Sequence, residues 1–125
     1  MTAGHCIYSH DHGGWASSVR VVPGMDQDYM PYNYAWAAHL RSYTGWTSSG
    51  MTEHDWGLIT LDRNVGDYTG WMGRMTASSS NSIYTGVLNT SGYPGDKCSG
   101  DCMYFDSDNG HSASEYNHWY RMDTF

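Results

Sequence analysis

The chain has 125 residues, enough for one domain, with 15 Gly and 11 Tyr but only six Lys and Arg in total. Gly and Tyr are more frequent in turns and strands than in helices, so this composition favours an all-β protein. The net charge of −7 argues against a nucleic-acid partner, because binding to phosphates depends on Lys and Arg. No apolar run approaches the length that crosses a bilayer, so no membrane partner is expected.

Short apolar and aromatic runs, separated by turn residues, predict the strands in chain order. The predicted strands lie at residues 18–22, 56–61, 83–90, 103–105 and 116–122. Loops are predicted at residues 9–14, 25–34, 47–52, 76–82 and 106–114. By propensity alone, residues 35–43 are compatible with a helical turn.

Three residues of the 9–14 loop, His10, Asp11 and His12, are types that bind metal ions. A Gly-rich loop tip has no second strand to fix their geometry, and solvated polar loops are much commoner. We therefore predict no metal site and no cofactor.

Two segments contain residues suited to acid–base catalysis. Residues 2–6, TAGHC, place His5 between a small-residue turn and a cysteine, and fifty residues later Asp55 leads directly into the strand predicted at 56–61. In this order the two segments resemble the histidine and aspartate segments of the chymotrypsin-like serine proteases, whose triad runs His, Asp, Ser. Residues 92–97, GYPGDK, and 120–125, YRMDTF, resemble second-barrel segments of the secreted glutamyl endopeptidase branch.

The resemblance implies a role for each residue of the pair. His5 would be the general base, and Asp55 would hold its imidazole in the correct tautomer. Glu53 and Asp62 are competing carboxylates, but the family's aspartate immediately precedes the apolar strand, and only Asp55 does so. His54 departs from the family, in which an aromatic or small residue often precedes the aspartate.

A serine nucleophile is not identified in the sequence. The family places it inside Gly-x-Ser-Gly, and no serine of this chain has that context. Ser99 comes nearest but lacks the first glycine, while Ser107, Ser112 and Ser114 fall in the predicted 106–114 loop. We therefore expect the chain to carry the His and Asp of a triad without the Ser, and to be inactive alone.

The resemblance also implies an architecture. It predicts a partial chymotrypsin-like double β-barrel, with most of the first barrel in residues 1–66 and the first half of the second in residues 67–125, and it favours a strand at 35–43. The family needs roughly twice this length, so we expect a fragment of a secreted, extracellular protein. Strand edges left open by missing neighbours are expected to promote self-association.

The three cysteines leave one unpaired within the chain. We expect a local disulfide between Cys98 and Cys102, because a turn at Gly100 allows the Cα separation of about 4.4–6.8 Å that a disulfide needs. Cys6 is then free. In the family, the cysteine after the histidine usually pairs with one on the preceding strand, which this chain does not contain.

Two functions compete at this point. The first is a serine-type endopeptidase that acts on protein or peptide substrates once the missing segments complete it. The alternative is a non-catalytic binding or assembly protein built on a truncated protease scaffold, which the abundance of Tyr and Trp favours because these residues anchor interfaces. The intact His–Asp pair favours the first, since a binding module has no need to retain it.

Overall fold

The structure is a computed structural model that describes residues 1–74 and 86–109, together with the backbone of two further short strands. The strands are β1 (Tyr8–Ser9), β2 (Gly14–Trp15), β3 (Arg20–Val21), β4 (Ala35–Ser42), β5 (Gly57–Leu61), β6 (Val87–Gly92), β7 (Tyr104–Asn109), β8 (Ser112–Ala113) and β9 (His118–Trp119). The helices are α1 (Thr44–Ser49) and α2 (Gly66–Thr69), with 3₁₀ turns η1 (Gly4–Cys6), η2 (Thr52–His54) and η3 (Cys98–Gly100). The predicted all-β class is confirmed. The loop predicted at 76–82, Ser114 and residues 120–125 lie outside the described residues.

The chain forms two compact units. The first unit comprises Met1–Pro23 and Tyr32–Gly70, and the second comprises Gly24–Pro31 and Trp71–Phe125. The boundary between barrels that the sequence predicts at residues 66 and 67 remains a prediction. None of the helices in the described ranges has the length and apolar character needed to cross a membrane.

The main sheet of the first unit is antiparallel, in the order β3-β4-β5. Its register pairs Leu40 with Ile59, and a β-bulge lies between Ala37 and His39. The bulge places two successive residues, Ala38 and His39, on the exposed side, so the alternation of burial along β4 shifts there. The Ala, Leu and Arg residues of β4 are strong helix formers, which explains why its sequence is also compatible with a helical turn.

The core of the first unit is centred on Ile7, whose side chain is only 1% exposed. Ile7 leads into the β1–β2 hairpin, and its carbonyl accepts a hydrogen bond from the backbone N–H of Ala16 at 2.9 Å. Gly57 leaves room for it, because a Cβ built there would overlap Cδ1 of Ile7. The glycine at the start of β5 therefore fixes how closely that strand approaches the segment that follows His5.

The second unit is built on the antiparallel β6–β7 hairpin, in which Val87 pairs with Asn109 and Gly92 with Tyr104. The loop predicted to start at residue 106 is therefore wrong for 106–109, because pairing with β6 outweighs the low strand propensity of Asp and Asn. Before β7, a disulfide joins Cys98 to Cys102 across a Cα separation of 5.6 Å.

The segment Gly24–Pro31 is tied into the second unit by hydrogen bonds. The backbone N–H of Gln27 donates to the carbonyl of Asp101 at 2.8 Å, and the hydroxyl of Tyr93 donates to the carbonyl of Met25 at 2.8 Å. A loop at this place is what the sequence predicts, but its attachment to the disulfide turn is not visible in the sequence.

Helix α1 occupies the first half of the loop predicted at 47–52, so that prediction is wrong at its start. Gly50 ends the helix in the left-handed conformation, with φ 64° and ψ 26°, and its N–H bonds back to the carbonyls of Gly45 and Trp46. A glycine in this position is a common helix stop signal. The polar composition of α1 hides the helix in the sequence, because it lacks an apolar stripe.

Candidate active site

Two backbone hydrogen bonds bring together the segments that carry His5 and Asp55. The N–H of Thr2 donates to the carbonyl of Gly57 at 3.0 Å, and the N–H of Gly57 donates to the carbonyl of Thr2 at 2.8 Å. In an antiparallel bridge, residues after one partner lie beside residues before the other. His5, three residues after Thr2, therefore lies beside Asp55, two residues before Gly57.

Each side chain is presented by a tight backbone turn. His5 is the middle residue of η1, which the Ile7 N–H closes by donating to the Gly4 carbonyl at 3.0 Å. Asp55, with φ −74° and ψ 65°, has the geometry of an inverse γ-turn, and the Trp56 N–H donates across it to the His54 carbonyl at 2.8 Å.

The carboxylate of Asp55 contacts His5 through both of its oxygens. Oδ1 accepts the backbone N–H of His5 at 2.7 Å, and Oδ2 lies 2.7 Å from the ring Nδ1. Because a carboxylate only accepts, Nδ1 carries a proton, which leaves Nε2 on the far side of the ring as the basic nitrogen. The His5 side chain is 61% exposed and that of Asp55 is 22% exposed, so the histidine is accessible and the aspartate is shielded.

The other carboxylates considered in the sequence are occupied elsewhere. Oδ1 of Asp62 accepts the backbone N–H of Trp36 at 3.0 Å, and Oε2 of Glu53 accepts the hydroxyl of Thr52 at 3.5 Å. Within the described residues, Asp55 is the carboxylate that the structure brings to His5.

Trp46 of α1 is a neighbour of the pair that sequence reasoning missed. Its indole N–H donates to the carbonyl of Tyr8 at 3.1 Å, and its own carbonyl lies 2.7 Å from Nε2 of His10. A Cβ built on Gly4 would be 2.9 Å from Cδ1 of Trp46 and 2.9 Å from Oδ1 of Asp55. Gly4 is therefore enclosed between the indole and the carboxylate.

His54, whose role the sequence does not explain, has a packing role next to the pair. Its ring stacks on that of Tyr43, with centroids 5.2 Å apart and an interplanar angle of 22°. It also lies against Gly45 of α1, where a Cβ would overlap Nδ1 of His54.

The serines considered in the sequence are on the second unit. Ser99 lies in η3 with φ 56°, and Ser107 lies in β7, where its N–H donates to Oδ1 of Asp106 at 2.7 Å. Ser112 lies in β8. The prediction that Ser107 and Ser112 lie in a loop is therefore wrong.

The free cysteine, Cys6, and His12 of the 9–14 loop line the same surface cavity as His5. Nδ1 of His12 lies 3.0 Å from the Ser9 hydroxyl, and Cys6 is an exposed free thiol. No group of three or more His, Cys, Asp or Glu residues is arranged to hold a metal ion in the part of the chain that the structure describes.

Comparison with known proteins finds relatives whose names are those of proteases. No family model matches the chain. It is 38% identical over all 125 residues to a protein of Bacillus subtilis named extracellular metalloprotease, covering 39% of that protein. It is 36% identical over 99 residues, or 79% of the chain, to a glutamyl endopeptidase of Bacillus licheniformis, covering 30% of that protein.

A solved Glu endopeptidase structure has the same fold. It superimposes with a TM-score of 0.84 at 25% identity, over 99% of this chain and 58% of the solved chain. The chain thus spans well under two thirds of the length of each of these relatives. The prediction of a partial chymotrypsin-like double barrel is confirmed, and in sequence and fold the chain resembles the glutamyl endopeptidases.

Proposed function

We propose that this chain supplies the His–Asp half of a serine endopeptidase active site. The observation that carries the proposal is the double contact of Asp55 with the backbone N–H and Nδ1 of His5, both at 2.7 Å. Two contacts fix the tautomer and the orientation of the ring, which is what the aspartate contributes in a Ser–His–Asp triad.

The proposed chemistry uses the free side of the His5 ring. Nε2 takes the proton from a serine hydroxyl as that oxygen attacks a peptide carbonyl, and later returns it to the leaving amine. Asp55 stabilises the imidazolium that forms in between, without itself becoming protonated.

The nucleophile is proposed to come from polypeptide outside these 125 residues. None of the chain's serines has the Gly-x-Ser-Gly context, and the relatives are considerably longer than this chain. The proposal therefore makes the isolated chain inactive. We also propose an extracellular location, in line with the name of the Bacillus subtilis relative, and peptides or proteins as substrates.

A chimera tests the function directly. This chain replaces the aligned segment of the Bacillus subtilis relative, and hydrolysis of a peptide mixture and labelling by a fluorophosphonate are measured. We expect activity and serine labelling, both lost by about 10⁴-fold or more in His5→Ala and Asp55→Asn. His39→Ala, at an exposed position of β4, is the matched control and should retain both.

A chelator experiment separates the serine mechanism from the metal-dependent hydrolysis that the name of the Bacillus subtilis relative indicates. We expect EDTA to leave hydrolysis by the chimera unchanged, because the proposed base and nucleophile are side chains. Hydrolysis that EDTA abolishes, with no fluorophosphonate labelling, would show that the pair serves a different reaction.

The isolated chain gives the complementary test. We expect it to hydrolyse no peptide and to remain unlabelled by the fluorophosphonate. Labelling of Ser99 or Ser107 that disappears in His5→Ala would show that the chain holds its own nucleophile.

A binding or assembly role is the second candidate, and exposed aromatic side chains favour it. Trp36 is 44% exposed on the sheet of the first unit, and Tyr43 is also exposed. A folded chimera that lacks activity, together with concentration-dependent association of the isolated chain in sedimentation, would favour this role. A monomeric chain would argue against association through open strand edges.

A further inference from the structure

We propose that two adjacent residues of α1, Gly45 and Trp46, position the His5–Asp55 pair. Trp46 supports the segment that carries His5, and Gly45 supports the segment that carries Asp55. The relevance of this positioning to catalysis rests on the proposed function. The geometry that it explains is independent of any reaction.

The His5 side depends on the indole of Trp46. Its N–H holds the carbonyl of Tyr8 at 3.1 Å, three residues after His5. Its edge lies so close to Gly4, the residue before His5, that a Cβ there would be 2.9 Å from Cδ1. The indole thus contacts the chain on both sides of His5 and limits where η1 can lie.

The Asp55 side depends on the absence of a side chain at Gly45. The ring of His54, the residue before Asp55, occupies the space that a Cβ of Gly45 would need. The same ring stacks on Tyr43, which immediately precedes α1. His54 is therefore held between Tyr43 and Gly45, and the γ-turn of Asp55 begins from this fixed ring.

The two contacts have one physical consequence. Gly45 and Trp46 are neighbours in one helical turn. The segment that carries His5 and the segment that carries Asp55 therefore both pack against α1. A shift of either contact changes the distance between Nδ1 of His5 and Oδ2 of Asp55. The indole also meets the His5 ring edge-on, with ring centroids 6.4 Å apart and an interplanar angle of 64°, so Trp46 is a positioning residue that acts on both the backbone and the ring of His5.

The test reads the pair without requiring hydrolysis. In the ¹⁵N-labelled full chain, the ring nitrogen shifts of His5 report which nitrogen carries the proton, and a downfield Nδ1–H signal reports the bond to Asp55. Asp55→Asn defines the broken state. We expect Trp46→Ala and Gly45→Ala to lose the downfield signal, and Trp46→Phe to weaken it, because a phenyl ring keeps part of the packing edge but lacks the N–H that donates to the Tyr8 carbonyl.

Matched controls separate positioning from general destabilisation. Trp36→Ala removes an exposed indole from the sheet, and Gly73→Ala adds a Cβ where nothing lies within 4 Å. Both should retain the signal. The nearest atoms to the added Cβ of Gly45→Ala all belong to the His54 side chain, which can turn away, and alanine favours helix over glycine. Gly45→Ala is therefore expected to fold even where Trp46→Ala does not, and it then decides. Retention of the signal in folded Gly45→Ala would overturn the inference.

The outcomes also separate this inference from the proposed function. Loss of the signal in the α1 variants together with an inactive chimera would support positioning and remove the endopeptidase proposal. An active chimera with an unchanged signal in the α1 variants would support the endopeptidase proposal and overturn the positioning inference.

Discussion

The two units differ in what holds them together. In the first unit, the segments carrying His5 and Asp55 are separated by fifty residues and are joined by the Thr2–Gly57 bridge above the buried Ile7. In the second unit, the β6–β7 hairpin and the Cys98–Cys102 disulfide connect residues that are closer along the chain. The described hydrophobic residues that are buried, Ile7, Ala35 and Val65, all belong to the first unit.

The difference shows where the candidate chemistry depends on the fold. The His5–Asp55 contact has no local element to maintain it, so it persists only while the core of the first unit is packed. The hairpin of the second unit can keep its register through its own ladder and crosslink. Changes to each unit should therefore affect the site unequally.

The largest expected effect comes from breaking the core beneath the site. Ile7→Ala should lower the free energy of unfolding by about 3 kcal/mol, because it empties a fully buried position. It should also remove the downfield Nδ1–H signal of His5, since Ile7 packs against Gly57. Urea unfolding followed by tryptophan fluorescence measures the first effect, and NMR measures the second.

Val87→Ala is the control for that substitution, because Val87 is 61% exposed in β6 of the second unit. We expect a change within about 0.5 kcal/mol. An equal loss of stability in both variants would contradict the unequal roles of the two units.

A smaller effect is expected from opening the disulfide of the second unit. Replacing Cys98 and Cys102 together with serine should cost about 2 kcal/mol, the contribution expected for so short a loop. The His5 signal should remain unchanged. Cys6→Ser, at the free thiol of the first unit, is the control and should leave the second unit's amide spectrum intact.

The smallest effect is expected where the chain returns to the first unit. Nε of Arg63 donates to the carbonyl of Tyr34 at 2.9 Å, and Nη2 donates to the carbonyl of Tyr32 at 2.6 Å. Arg63→Met should cost about 1 kcal/mol, because these bonds are exposed to solvent. Faster proteolysis after Tyr32 or Tyr34 would show that this segment has loosened. Arg41→Met is the control and should leave the proteolysis rate at these two sites unchanged.

Sequence reasoning identified the residues with a local signature. His5 lies in TAGHC, and Asp55 directly precedes the apolar strand, so both were identifiable without a structure, and the structure places them 2.7 Å apart. Their catalytic role remains a prediction. The all-β class followed from composition, and the partial double barrel followed from the family resemblance.

The support around the pair could not be derived in the same way. The sequence of α1, TGWTSS, has neither an apolar period nor strong helix formers, and its short length gives propensity little weight. Gly50 was the available signal of a helix end. The contacts of Trp46 with Gly4 and of Gly45 with His54 arise from packing between separate elements of the fold, which local pattern does not encode.

The Thr2–Gly57 bridge has an evolutionary consequence. It consists entirely of main-chain hydrogen bonds, so it aligns the two segments whatever side chain occupies position 2. The alignment depends instead on the number of residues, which is three from Thr2 to His5 and two from Asp55 to Gly57. Relatives should therefore accept substitutions at position 2 but reject single-residue insertions and deletions in these short intervals, which would turn one of the two side chains away from the other.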